Sequence, residues 1–152
     1  MELVLRDARL TDIDRIVGLM ERTSVDWSSE RLGDAADVLR QMVYLPNATL
    51  VVALDGRMLV GFAVLALRTS VIAGGLVGTV DLMCVEPGHE LDGVMEGLLR
   101  ELMRSGRNKG CVVLEAAVPH DPAELPTWET LGFAADGPRL RCQLVGLAAA
   151  TR

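Results

Sequence analysis

Residues 80–99 read Val80-Asp81-Leu82-Met83-Cys84-Val85-Glu86-Pro87-Gly88-His89-Glu90-Leu91-Asp92-Gly93-Val94-Met95-Glu96-Gly97-Leu98-Leu99. A strand-like run ends at Val85, a proline follows, and glycines lead into an apolar helical repeat. That is the outline of a loop that delivers an anion to a helix start, where backbone N–H groups and the helix dipole favour negative charge. Three acids, Glu86, Glu90 and Asp92, stand in its path.

The surrounding chain has 152 residues, enough for one domain with a sizeable core. Half of the residues are hydrophobic and only 3% are aromatic, so Val, Leu, Ala and Met must build that core. The net charge of −6 argues against nucleic acid or an anionic membrane as partner. Cys84, Cys111 and Cys142 are odd in number and lack metal-ligand spacing. They read as reduced thiols of a cytoplasmic protein, and no metal is expected. The N-terminal residues do not resemble a signal peptide, and no apolar run reaches the roughly 18 residues of a membrane span.

Outward from the quoted stretch, residues 2–8 alternate as a first strand. Thr11 reads as the cap of a helix with Asp14 as its capping acid and Ile13, Ile16, Val17 and Met20 inward. A second helix is expected over 31–44, with Ala35, Val38, Leu39, Met42 and Val43 inward. Strands 48–54 and 58–67 flank an Asp55-Gly56 turn, and a third strand runs 76–85 after Gly74-Gly75. The helix after the loop is expected over 92–104, stopped by Gly106. The basic cluster from Arg104 to Gly110 complements its C-terminus. Residues 111–118 read as a central strand covered on both faces. Asp121-Pro122 opens a short helix that Pro126 interrupts or restarts and Gly132 ends. A last strand is expected over 139–145, and a tail follows. No repeat or linker appears, so residues 1–152 form one mixed α/β domain with its core over about 3–145.

This order resembles the GNAT acetyltransferase superfamily over nearly the whole chain. Strand 80–85 followed by Glu86-Pro87 resembles the family's fourth strand. Gly93 at the head of an apolar helix resembles its acetyl-CoA pyrophosphate loop. Trp128-Glu129-Thr130-Leu131-Gly132-Phe133 resembles its late Y-x-x-x-G-F segment. The resemblance implies an α+β fold: a mixed, mostly antiparallel sheet, splayed between the fourth and fifth strands and flanked by about four helices. It implies a pantetheine arm bonded by main-chain groups of Met83, Cys84 and Val85. A pyrophosphate would lie on the loop of Glu90, Leu91, Asp92, Gly93, Val94 and Met95.

The loop departs from the family's pattern of Arg or Gln, two residues, Gly, one residue, then Gly or Ala. Gly93 keeps the central position, Glu90 replaces the cationic or amide residue, and Met95 adds bulk. Leu91 stands where a second glycine is common. Two unit charges about 4 Å apart repel by about 1 kcal/mol in water and about 4 at an intermediate dielectric. An inward Glu90 would therefore weaken a doubly charged ligand by one to several decades, and a solvated Glu90 by little.

Family chemistry is acetyl transfer from acetyl-CoA to an amine by direct attack. Asp81 is the candidate base, placed by strand alternation on one face with Thr79, Met83 and Val85. The alternatives for Asp81 are a bond to a neighbouring loop or a solvent-facing place at the splayed edge. His120 is a second proton-transfer candidate, whereas His89 reads as a solvated loop residue. Trp128 stands where the family's acidic Tyr would be, and an indole is no useful acid near neutral pH. Cys84 reads as a packing residue. The acceptor is expected to be a small-molecule or peptide amine, and pairing of two copies through the last strands is compatible with the pattern. The alternative is a non-catalytic module of the same fold that senses a small molecule or binds a protein.

Overall fold

The computed structural model describes residues 2–23, 27–89, 93–119 and 121–137. Strand β1 (Leu3–Asp7) leads through a 3-10 turn (Leu10–Asp12) into α1 (Ile13–Arg22) and α2 (Ser29–Met42). A meander of β2 (Ala48–Asp55), β3 (Met58–Ser70) and β4 (Gly75–Val85) follows. Then come α3 (Val94–Lys109), β5 (Cys111–Ala116), a 3-10 turn (Pro122–Glu124) and α4 (Leu125–Thr130). The five strands lie in chain order in one sheet, antiparallel except for the parallel pair β4–β5. This is the mostly antiparallel α+β sheet that the sequence implied. The expected strand 139–145 and its tail lie outside the described residues. No helix among the described residues is long and apolar enough to cross a membrane.

Two apolar layers sandwich the sheet. On one face, Ile13, Ile16, Leu19 and Met20 of α1 and Leu32, Ala36 and Leu39 of α2 pack on Leu50, Val52, Phe62, Val64 and Cys84. On the other, Val94, Leu98, Leu99 and Leu102 of α3, with Trp128, pack on Val51, Ala53, Ala63, Leu65 and Val80. Period-two alternation along β2 and β3 feeds both layers, which is why these strands are apolar throughout.

Several local expectations are corrected. The first helix is not capped by Thr11 with Asp14: the Asp12 carboxylate accepts from the Arg9 N–H (2.8 Å) at the start of the 3-10 turn. The second helix starts earlier, because Ser28 Oγ accepts from the Arg31 N–H (3.1 Å). Its buried line is Leu32, Ala36 and Leu39, which turns Val38 to solvent. Gly106 does not end α3. A Cβ there would lie 2.7 Å from Leu114 Cδ1, so the glycine permits close approach of helix and β5. The left-handed terminator is Gly110, at φ 88°. Strand β5 is not covered on both faces, since Val112 and Val113 are about half exposed.

Candidate active site

The ladder between β3 and β4 contains a bulge. Val64 pairs with Leu82 and Leu65 with Val80, so Asp81 is the extra residue. The bulge inverts the side-chain alternation downstream. Val80, Met83 and Val85 share the α3 layer, while Leu82 and Cys84 enter the α1–α2 layer. Val80, one residue out of the expected phase, thus joins the layer of Met83 and Val85, and the alternation linking Thr79 and Asp81 to that layer breaks at the bulge. The expected common face is thereby corrected. Asp81 is exposed, so its carboxylate is open to an incoming group.

The main chain of β4 divides in the same place. The Glu86 N–H donates to the Val60 carbonyl at 2.8 Å. Alternate residues of an antiparallel ladder bond the same neighbour. Leu82 and Cys84 therefore direct their main-chain groups to β3, whereas Met83 and Val85 direct theirs to the opposite edge. On that edge, pairing with β5 stops at Val80 opposite Ala116. There β5 ends, while β4 continues to Val85.

The head of α3 stands near the exit of β4, because Gly61, the ladder partner of Val85, lies against Val94. Gly93 is its N-cap, at φ 78°, with open space where a Cβ would lie. Val94 is fully buried, and Met95 is half-buried against the α3 layer. The Gly97 N–H is the first helical donor, to the Gly93 carbonyl at 2.9 Å. The first-turn amides before it have no acceptor within the helix. Glu90, Leu91 and Asp92 lie outside the described residues, as does His120.

Glu86 does not stand free at the strand exit. Arg22, at the end of α1, grips its carboxylate from Nε (3.0 and 3.1 Å) and Nη2 (2.8 Å). The Glu86 carbonyl accepts the His89 N–H (2.9 Å), closing a turn over Pro87 and Gly88 in which Gly88 takes φ 91°. His89 is half-buried rather than solvated, its Nδ1 enclosed without a partner among the described residues. Cys84 is 2% exposed, and burial pushes its thiol up to about 11 despite a bond to Thr23 that lowers it. It is a packing residue at neutral pH.

Trp128 is buried, and its ring meets Phe133 edge-on with centroids 5.0 Å apart. Its indole N–H has no partner among the described residues. A further carboxylate, Glu115 on β5, accepts from Thr79 Oγ1 (3.1 Å) and Arg68 Nη2 (3.0 Å). Glu115 sits inside an apolar run, a signal as legible as that of Asp81. The Arg22–Glu86 pair spans 64 positions and left no local trace in the sequence.

Comparisons with known proteins bear on the same ground. The profile described as the acetyltransferase (GNAT) family matches residues 16–133. Among solved structures, the chain is similar to an acetyltransferase of Trypanosoma brucei at 26% identity, covering 94% of this chain and 100% of that one, with a TM-score of 0.71. It is similar in fold to a transcriptional regulator from Bacillus halodurans at 16% identity, covering 94% and 100%, with a TM-score of 0.81. A likeness of fold also extends to a predicted acetyltransferase with acetyl-CoA from Clostridium acetobutylicum, at 15% identity, covering 93% and 96%, with a TM-score of 0.79. No curated protein matches the chain in sequence.

Proposed function

The chain belongs to the acetyltransferase (GNAT) family, and from that premise we propose that it moves an acetyl group from acetyl-CoA to an amine by direct attack. One observation carries the reading: β4 continues past its last pair with β5, so main-chain groups of Met83 and Val85 face a gap that no strand fills among the described residues. The head of α3 stands near the exit of β4. An arm of amide groups fits an unpaired strand edge, and a pyrophosphate fits first-turn amides.

In this proposal Met83 and Val85 hold the pantetheine arm as an added strand would. Cys84 stays in the sheet, its main chain turned to β3. The amides of 94–96 receive the pyrophosphate, with Gly93 leaving room for it and Glu90, Leu91 and Asp92 completing the loop. Acetyl-CoA supplies an activated acyl carbon and a thiolate leaving group. Asp81, exposed at the bulge, takes a proton from the acceptor amine. His120 is the second candidate for moving that proton. In the same reading a main-chain N–H beside the bulge orients the acyl oxygen. Trp128 offers no acid, and the departing thiolate takes its proton from solvent.

The test is thermal unfolding with CoA and with acetyl-CoA. A ligand at a hundredfold excess over its Kd adds about 2.7 kcal/mol to stability. A clear rise in Tm is expected, and no rise at millimolar ligand overturns the proposal. If the wild type binds only weakly, Glu90→Arg with Met95→Gly should strengthen binding. The inward packing of Trp128 favours a second reading, a non-catalytic sensor of this fold. That reading expects binding without turnover of any amine.

A further inference from the structure

Resting on the acetyl-CoA reading, we propose that Arg22 is a positioning residue for the nucleotide end of that co-substrate: by gripping Glu86 it neutralises a carboxylate beside the route of the anion. The residues involved come from three elements. Arg22 ends α1, Glu86 follows β4, and the Glu86 N–H is bonded to Val60 of β3 (2.8 Å). The grip is multidentate, with both guanidinium Nε contacts and the Nη2 contact at 3.1 Å or less. The Glu86 side chain is only 12% exposed while that of Arg22 is half in solvent. The carboxylate is thus enclosed beneath the cation that neutralises it.

The location makes the charge matter. Glu86 directly follows Val85, whose main chain faces the gap, and its carbonyl anchors the turn that leads toward α3. An unpaired carboxylate here would lie well within a Debye length of a bound pyrophosphate and would repel it. Of the three acids of the loop, Glu86 is thus already answered by a cation that lies 64 positions away in sequence. The pair also ties α1, on the opposite face of the sheet from α3, to the route of the nucleotide.

A charge role and a merely structural brace predict different orders among variants. Arg22→Met keeps the aliphatic stem and frees the carboxylate, so the Kd for CoA should rise about three- to tenfold. Glu86→Gln removes the charge and should leave Kd within about twofold of the wild type. The double variant Arg22→Met/Glu86→Gln should return Kd to within about twofold, although its brace is gone. Raising salt toward 1 M should close the gap between Arg22→Met and the wild type. Calorimetric titration with CoA reads all four proteins, and melting curves verify that each is folded. If both single variants weaken binding equally and the double variant is no better, Arg22 is only a brace and the inference is overturned. If the wild type binds no CoA, the acetyl-CoA reading falls, and this inference with it.

Discussion

Gly61 of β3 lies directly beneath Val94 of α3: a Cβ on the glycine would sit 2.6 Å from Val94 Cγ1 and 3.0 Å from Leu98 Cδ1. Gly61 also pairs with Val85 across the ladder. One missing side chain therefore sets how near the head of α3 lies to the exit of β4. Gly61→Ala should lose about 1–3 kcal/mol of stability through overpacking, and it should weaken CoA binding by lifting the first turn of α3. Adding Val94→Ala should recover part of the stability. Urea unfolding and CoA titration of the two variants check this. Unchanged affinity in a destabilised Gly61→Ala would separate the packing from the site.

Asp12 governs the acid limb of stability. Its carboxylate is 1% exposed. It accepts from Arg6 Nη1 (2.7 Å) and Nη2 (3.0 Å), Arg15 Nη2 (2.7 Å) and the Arg9 N–H (2.8 Å). The Arg6 hydrogen bonds hold the acid far below its ordinary 3.8, against the opposing effect of burial. A folded-state pKa below the unfolded one gives stability that is present above the unfolded value and is lost as pH falls. Stability should thus decline from about pH 5 downward. Asp12→Asn should cost about 3 kcal/mol at pH 7, the low end for a broken buried pair because Arg15 stays half in solvent. It should also flatten the acid limb. Denaturant midpoints measured from pH 3 to pH 7 would show both effects.

The fold was legible because its signals are local. The Asp55-Gly56 turn, the glycine pair that opens β4 and the Asp121-Pro122 helix start are written in adjacent residues. The Asp121 carboxylate does cap that turn, accepting from the Ala123 N–H at 3.0 Å. What was illegible depends on partners distant in the chain. Gly106 reads as a stop until Leu114 is placed beside it. The bulge at Asp81 exists only relative to Val64 and Leu65, and it overturns an alternation that was sound within the strand itself. The Arg22–Glu86 pair likewise needs the tertiary fold before it can be seen.

Cys84 should be silent toward thiol reagents. It is buried beside Phe62 and Val64 in the α1–α2 layer, and burial raises its thiol to about 11. At pH 8 almost none is thiolate. Cys111 is half-buried, and burial raises its thiol too, opposed by the nearby Lys109. Alkylation of the native protein followed by peptide mass mapping should mark Cys111 before Cys84. Cys84 should react only at the rate of unfolding. Rapid native labelling of Cys84 would contradict its place in the core.

Trp128 separates packing from chemistry. Its ring fills the space between α4 and the α3 layer and meets Phe133 edge-on at 5.0 Å. Trp128→Ala should therefore cost about 3–5 kcal/mol. Trp128→Phe keeps an aromatic and deletes an enclosed N–H that has no partner among the described residues. The loss of volume and the relief of an unsatisfied donor oppose each other, and the net change should stay within about 1 kcal/mol. On the proposed transferase mechanism the indole does not move a proton, so Trp128→Phe should also leave kcat and its pH profile unchanged. Trp128→Tyr instead restores the residue type of the family at this position. If protonation of the departing thiolate limits the rate, kcat should rise and its pH profile should gain a new limb on the alkaline side. A collapse of kcat in Trp128→Phe, with CoA affinity and Tm retained, would instead place the indole N–H in the reaction.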